Sequence, residues 1–250
     1  MTNLIEKFQQ WVGDSTIIIK PGNHKDLLEK IGTLSVKEHP FRDNMDHIRS
    51  TSYDYYLYDI VVTLHPTKIV ELGVREARST NAFIRAFAHL KRGRLYSFDP
   101  EPHENLKHFI SNHKDYWEFH RRTGEEGYNL LKNTVGRIDM LFIDTDPHSY
   151  EQTKTWLNDY WINSVGSGGY VILDDCAPQH QDGVKVIKGA FDGKANFGTL
   201  KALCEWIEEN DNIIEYVFIV GARDNNGLAV VKFNEGKLFI KNKKGLHGKV

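Results

Sequence analysis

The chain has few cysteines and no strong excess of charge. Its 250 residues include two cysteines, Cys176 and Cys204, whose separation does not match a metal-binding pair. The formal net charge is −2 at pH 7, whereas a dedicated nucleic-acid-binding domain usually carries a basic face. These features predict a reduced, cytoplasmic protein that does not bind nucleic acid.

Long hydrophobic runs are absent as well. No apolar stretch approaches the roughly 20 residues that a membrane-spanning helix needs. The N-terminus lacks the basic, apolar and small-residue order of a signal peptide. We therefore expect no membrane association. The hydrophobic share of 40% is ordinary for a globular protein and is sufficient for a sizeable core.

From residue 67 onward, short apolar runs alternate with stretches of helical period. The apolar runs predict strands at Thr67–Gly73, Arg94–Pro100, Trp117–Arg121, Ile138–Asp144, Gly169–Asp175, Glu215–Val220 and Gly227–Phe233. Intervening helices are predicted at Ser79–Leu90, His103–His113, Glu125–Lys132, Ser149–Trp161 and Leu200–Glu209. This order predicts a Rossmann-like, doubly wound and mostly parallel seven-stranded sheet. The last connection is too short for a helix, so the final two strands are expected to be antiparallel.

Residues 1–66 are less regular and predict a separate N-terminal helical or extended segment before a domain at 67–250. Helices are predicted at Leu4–Val12 and Tyr53–Leu64, and Thr16–Lys20 is predicted as a strand or an extended arm. This segment is a candidate interface for a homo-oligomer.

Acidic residues follow several of the predicted parallel strands. They are Glu71, Asp99, Asp144, Asp174 and Asp175. Ligands of open α/β sheets bind outside the carboxyl ends of the strands, so these carboxylates are expected to converge at one edge. A single Asp after a strand is often only a turn or cap residue, but five together favour a binding site.

The first strand–helix turn lacks the glycine-rich pattern of dinucleotide sites. Gly73 permits close backbone approach, yet Val74, Arg75 and Glu76 follow it. Their side chains would hinder a pyrophosphate at the helix N-terminus. Asp99 after the second strand suits the two hydroxyls of an adenosine ribose. A cationic cofactor without phosphates therefore fits this edge better than a dinucleotide.

Four segments carry a resemblance to class I S-adenosylmethionine (SAM)-dependent methyltransferases: VELGVREARST, LYSFDPEP, RTGEEGYNLL and YVFIVGARDNNGLAVV. The resemblance implies a SAM-binding Rossmann-like domain. The positions that it implies for cofactor binding are Glu71, Gly73, Ser79, Asp99, Gly124, Glu125 and Asp144.

Within that class, IDTDPHSYEQTKTWLNDYW and GGYVILDDC resemble the metal-dependent O-methyltransferases of the catechol/caffeoyl-CoA and macrolide-sugar types. The resemblance implies Mg²⁺ or another divalent cation at Asp144, Asp174 and Asp175, and a small-molecule hydroxyl as acceptor. An all-oxygen ligand set suits such hard cations. Pro147 lengthens the loop after the fourth strand, which leaves Asp146 open as an alternative to Asp144.

The same resemblance implies that His148 is the general base. Imidazole titrates near neutral pH, which suits proton removal from a hydroxyl. The alternative is that His148 belongs to the N-cap region of the helix that follows. Three other functions stay open: a metal-independent methyltransferase, an NAD- or nucleotide-sugar-binding oxidoreductase, and a non-catalytic Rossmann-like module.

Overall fold

The computed structural model describes residues 16–19, 52–104, 106, 115–146, 149–174, 198–222 and 225–236. Its helices are α1 (Ser52–Leu64), α2 (Arg78–Leu90), α3 (Gly124–Val135), α4 (Tyr150–Asn158) and α5 (Gly198–Glu209). Its strands are β1 (Thr16–Ile19), β2 (Lys68–Leu72), β3 (Arg94–Phe98), β4 (Trp117–His120), β5 (Ile138–Ile143), β6 (Val165–Asp174), β7 (Ile214–Ala222) and β8 (Asn225–Phe233). The predicted helix at Leu4–Val12 and most of that at His103–His113 lie outside the described residues.

The strands form one sheet in the order β1-β7-β8-β6-β5-β2-β3-β4. Strands β2 to β6 are joined by parallel pairs, while β8 is antiparallel to both β6 and β7. The seven predicted strands all form, which confirms the fold class. An eighth strand, β1, pairs antiparallel with β7 in the region predicted as a strand or an extended arm.

Strand order places the switch point of the sheet between β2 and β5. The chain moves outward from β2 through β3 to β4 and then returns to β5 on the other side of β2. Ligands of open α/β sheets bind at such a reversal, at the carboxyl ends of the strands. The residues that follow β2 and β5 are therefore the strongest candidates for a ligand-binding site.

Alternate residues of the central strands feed two apolar cores. Val70 packs with Trp156 and Leu203 on the face covered by α3, α4 and α5. Ile69 packs with Leu57 and Phe83 on the face covered by α1 and α2. Helix α1 thus packs against the sheet that the predicted 67–250 domain supplies, and the boundary at residue 66 stays a prediction.

The helices of the described residues are short enough that none could cross a membrane as an apolar span. Two boundaries differ from the sequence prediction. Helix α4 ends at Asn158, and the fully buried Trp161 instead begins a 3₁₀ helix that ends at Ser164. Strand β6 begins directly after it at Val165, ahead of the predicted Gly169.

Candidate active site

Three acidic residues and one glycine form a row across the carboxyl ends of four parallel strands. Leu72 of β2 pairs with Phe98 of β3 and with Ile143 of β5, which in turn pairs with Leu173 of β6. One residue further along each strand, the row therefore reads Asp99, Gly73, Asp144, Asp174. Of the five carboxylates predicted to converge at this edge, Asp99, Asp144 and Asp174 lie in the row, Glu71 is buried beneath it, and Asp175 lies outside the described residues.

Gly73 occupies the centre of this row because no side chain fits there. Its φ is +89°, a region that residues with a Cβ rarely adopt. A Cβ atom at this position would lie 1.7 Å from the backbone oxygen of Asp144. The Asp144 amide donates to the carbonyl of Leu72 at 2.8 Å, so the ends of β2 and β5 are drawn together. Gly73 thus allows the ends of β2 and β5 to approach closely, and the row has no side chain between Asp99 and Asp144.

Asp99 holds the turn between β2 and α2. Its Oδ2 accepts hydrogen bonds from the backbone amides of Val74 at 2.9 Å and Arg75 at 2.8 Å. Its Oδ1 accepts from the amide of Glu101 at 2.8 Å. A carboxylate offers about four acceptor positions, so one remains on Oδ1 for a ligand hydroxyl. The role of Asp99 in ribose binding stays a prediction, and the structure adds a second task for it.

The β2–α2 turn contains two non-glycine residues with left-handed backbone. Arg75 has a φ of 46° and Ala77 a φ of 62°. Ala77 is also the N-cap of α2, and its side chain does not cap the helix. Left-handed backbone costs a non-glycine residue on the order of 1–2 kcal/mol. Strain of this kind collects at functional sites, and here it falls on the turn beside the acidic row.

Glu71 lies two residues before Gly73, directly beneath the row, and is fully buried. Its Oε1 accepts from the hydroxyl of Ser79 at 2.6 Å, and its Oε2 accepts from Thr80 at 2.8 Å and Ser97 at 2.6 Å. The indole of Trp117 donates to Ser97 Oγ at 2.8 Å. This set of side chains, which we call the Glu71 network, links β2, β3, β4 and the first turn of α2.

Burial raises the pKa of Glu71 to about 7 from its ordinary value of 4.5, because a charged carboxylate loses its hydration there. The three hydroxyl hydrogen bonds oppose this rise, and the nearby charge of Asp144 adds to it. Glu71 is therefore a buried acid that titrates near neutral pH. Its predicted contact with the cofactor, and that of Ser79, stay predictions.

The sequence predicted only some members of the Glu71 network. Glu71 and Ser79 were predicted as site residues, but Thr80, Ser97 and Trp117 were missed. The available signal was Ser97 itself, a polar residue within the apolar run that precedes Asp99. Its register opposite Glu71 is what brings the two side chains together.

Gly124 and Glu125, which the resemblance implies for cofactor binding, begin helix α3. Thr123 caps this helix in a reciprocal capping box with Glu126, one residue beyond Glu125. A Cβ on Gly124 would lie 2.4 Å from the indole of Trp156. The small residue thus lets α3 start close against α4. Cofactor contacts of Gly124 and Glu125 stay predictions.

The proposed metal ligands Asp144 and Asp174 follow or end neighbouring strands, whose spacing is about 5 Å. Both are partly exposed, whereas the alternative Asp146 is exposed and lies beyond the strand end. The third ligand Asp175 and the general base His148 lie outside the described residues. Within the described residues, no three His, Cys, Asp or Glu side chains form a metal-binding group. Two neighbouring carboxylates are the hard oxygen donors that a divalent cation prefers.

The part of the chain that contains the acidic row matches a known family. Residues 70–176 match a family described as a methyltransferase domain. The matched segment begins in β2 and ends just after β6, so it contains the whole row. No curated protein matches the chain.

Several solved structures have the same fold. The O-methyltransferase TomG from Streptomyces achromogenes, in complex with SAM, is 15% identical with a TM-score of 0.56, over 84% of this chain and 90% of that one. The O-methyltransferase from Bacillus cereus in complex with SAH is 15% identical with a TM-score of 0.55, over 86% and 93%. Cofactor-bound Rv0187 from MTB is 14% identical with a TM-score of 0.57, over 76% and 83%.

The fold, the acidic row at its switch point and the matched domain agree with one another. The strand order is that of a Rossmann-like sheet with an antiparallel end, and the matched residues span the parallel strands from β2 to β6. Residues 70–176 match a methyltransferase domain, and the chain has the fold of solved O-methyltransferases in complex with SAM or SAH.

Proposed function

We propose that the protein transfers the methyl group of SAM to a hydroxyl oxygen of a small molecule such as a sugar or a natural product. The observation that carries this proposal is the row Asp99, Gly73, Asp144, Asp174 at the switch point. Two of the similar structures are O-methyltransferases, which supports oxygen as the methyl acceptor.

The two sides of the row suit different parts of the cofactor. Asp99 lies on one side of Gly73, and its remaining acceptor position suits a ribose hydroxyl. Gly73 places no side chain between Asp99 and Asp144, so a ligand there would meet the backbone of the turn. Asp144 and Asp174 lie on the other side of Gly73. With strands about 5 Å apart, Asp99 and Asp144 are separated by about 10 Å, enough for a nucleoside to lie along the row with its sulfonium toward Asp144.

The acidic side of the row suits both a cationic cofactor and a divalent metal. Asp144, Asp174 and Asp175 are the residues that would hold Mg²⁺ or a similar ion. Such an ion would lower the pKa of a hydroxyl on the acceptor. The carboxylates would also attract the positive sulfonium and ammonium groups of SAM. The negative row would hold the product of the reaction less strongly than SAM, because the product lacks the positive sulfonium.

Proton removal from the acceptor is assigned to His148, which follows β5 by a short loop. A neutral imidazole takes the hydroxyl proton as the oxygen attacks the methyl carbon. The carbon–sulfur bond breaks as the carbon–oxygen bond forms, and the sulfur keeps the electron pair. Since the groups react in line, catalysis comes largely from positioning.

Asp99→Ala is expected to weaken SAM binding by at least a hundredfold, because it removes a ligand contact and releases the amides of Val74 and Arg75. Calorimetric titration of the purified protein with SAM, with and without Mg²⁺, measures this effect. Glu101→Gln is the matched control, since the exposed Glu101 meets Asp99 only through its backbone amide. Equal affinity in Asp99→Ala and the unchanged protein would contradict the assignment of the cofactor site.

Asp174→Asn is expected to abolish metal-dependent methyl transfer while SAM affinity stays within about threefold. The reason is that a neutral amide is a poorer ligand for a hard cation. Methyl transfer to a panel of catechols and sugars, with and without EDTA, gives the measurement. Asp144→Asn and Asp146→Asn form a matched pair, in which only Asp144→Asn should lose activity. Activity that survives EDTA would favour the metal-independent alternative.

A further inference from the structure

The turn that faces the cofactor adopts a backbone that its sequence does not favour. Between Gly73 and Ala77 three residues are left-handed, but only the first is a glycine. The turn receives little help from α2, whose first turn contains no acidic residue and whose N-cap side chain makes no hydrogen bond. Other parts of the protein must therefore hold it in this shape.

Two carboxylates hold the turn from opposite sides. On the outer side, Asp99 accepts from the amides of Val74 and Arg75. On the inner side, Glu71 accepts from Ser79 and Thr80, the second and third residues of α2. Asp99 acts on the beginning of the turn, and Glu71 acts just beyond its end. Of the strained non-glycine residues, Arg75 is itself held by Asp99, and Ala77 lies between the two attachments.

We propose that Glu71 is a positioning residue for SAM binding. It fixes the start of α2 and thereby keeps Ala77, at the end of the turn between β2 and α2, in its left-handed geometry. This positioning role rests on the proposed function, which assigns the cofactor site to this turn. Glu71 itself is fully buried beneath the row, and both of its oxygens already accept from hydroxyl groups, Oε1 from one and Oε2 from two. It therefore acts on the cofactor through the turn.

The test uses a rescue. Glu71→Gln is expected to raise the Kd of SAM about tenfold (about 1.4 kcal/mol), because the amide cannot accept from all three hydroxyls. Adding Ala77→Gly should return the Kd to within about twofold of the unchanged protein, since glycine adopts the left-handed backbone without support. Calorimetric titration with SAM gives the Kd values, and thermal unfolding is followed in parallel.

Lys91→Gly is the matched control. Lys91 is also left-handed, with a φ of 53°, but it ends α2 at the opposite end from the turn. Glycine there should raise the thermal stability of Glu71→Gln without restoring SAM affinity. Rescue by Lys91→Gly, or no rescue by Ala77→Gly, would overturn the positioning role. An unchanged Kd in Glu71→Gln would also overturn it, whereas failure of the unchanged protein to bind SAM would overturn the proposed cofactor site as well.

Discussion

Gly73→Ala is expected to abolish SAM binding and to lower the free energy of unfolding by about 3 kcal/mol or more. The added Cβ would overlap the backbone oxygen of Asp144, 1.7 Å away, and a backbone atom cannot swing aside as a side chain can. The strands β2 and β5 would have to separate at their carboxyl ends, where Asp144 and the turn both belong to the site. Urea unfolding and calorimetry with SAM provide the two measurements.

Gly136→Ala is the control for this substitution. Gly136 also has a positive φ, +67°, but a Cβ there would have no neighbour within 4 Å. Gly136→Ala should cost only the backbone strain, on the order of 1–3 kcal/mol, and leave SAM affinity unchanged. The difference between the two variants isolates the close contact between β2 and β5. Equal losses of stability in both would show that this contact is unimportant.

The stability of the protein is expected to fall as the pH rises from about 4.5 to about 7, through the titration of Glu71. Its pKa is about 7 in the folded protein and near 4.5 when unfolded, so the folded state binds more protons in this range. The contribution is fully present below pH 4.5 and is lost as the pH passes 7. Its size is about 3 kcal/mol. Urea unfolding at intervals across this pH range measures it.

Glu71→Gln separates this contribution from those of other acids. Hydrogen bonds and charges from neighbouring groups lower the pKa of Glu118 and Glu205, and a lowered pKa gives the opposite trend, with stability lost as the pH falls. Those two groups are the same in both proteins, so they cancel in the difference. The difference in unfolding free energy should therefore change with pH by the amount assigned to Glu71. A constant difference from pH 4.5 to 7 would mean that Glu71 titrates normally.

Local sequence patterns were sufficient for the part of the site that depends on strand ends. An apolar run that stops at an acid, as before Asp99, Asp144 and Asp174, marks both the strand and its final residue. Parallel strands align their carboxyl ends, so the convergence of these acids follows from the α/β pattern alone. The antiparallel hairpin followed from the shortness of one loop.

The parts of the site and fold that the sequence did not predict depend on contacts between residues distant in sequence. Nothing in the sequence near Ser97 indicates that it bonds to Glu71, because the bond arises from the register of two strands. Arg75 and Ala77 carry no sign of left-handed backbone, since that conformation is normally marked by glycine. Trp161 was predicted within a helix because a buried aromatic residue continues the helical pattern, but it lies in the 3₁₀ helix that follows.

The edge of the sheet formed by β4 bears on how copies of the protein could associate. Among the strands that the structure describes, β4 has a neighbour on one side only, and it contains four residues, Trp117–His120. Glu118 bonds to Arg94 at 3.1 Å and to His120 at 2.9 Å, which places ionisable groups along the edge. Short, charged edges discourage the addition of a strand from another molecule. We therefore expect that a homo-oligomer of this protein would not be built on a sheet continued through β4.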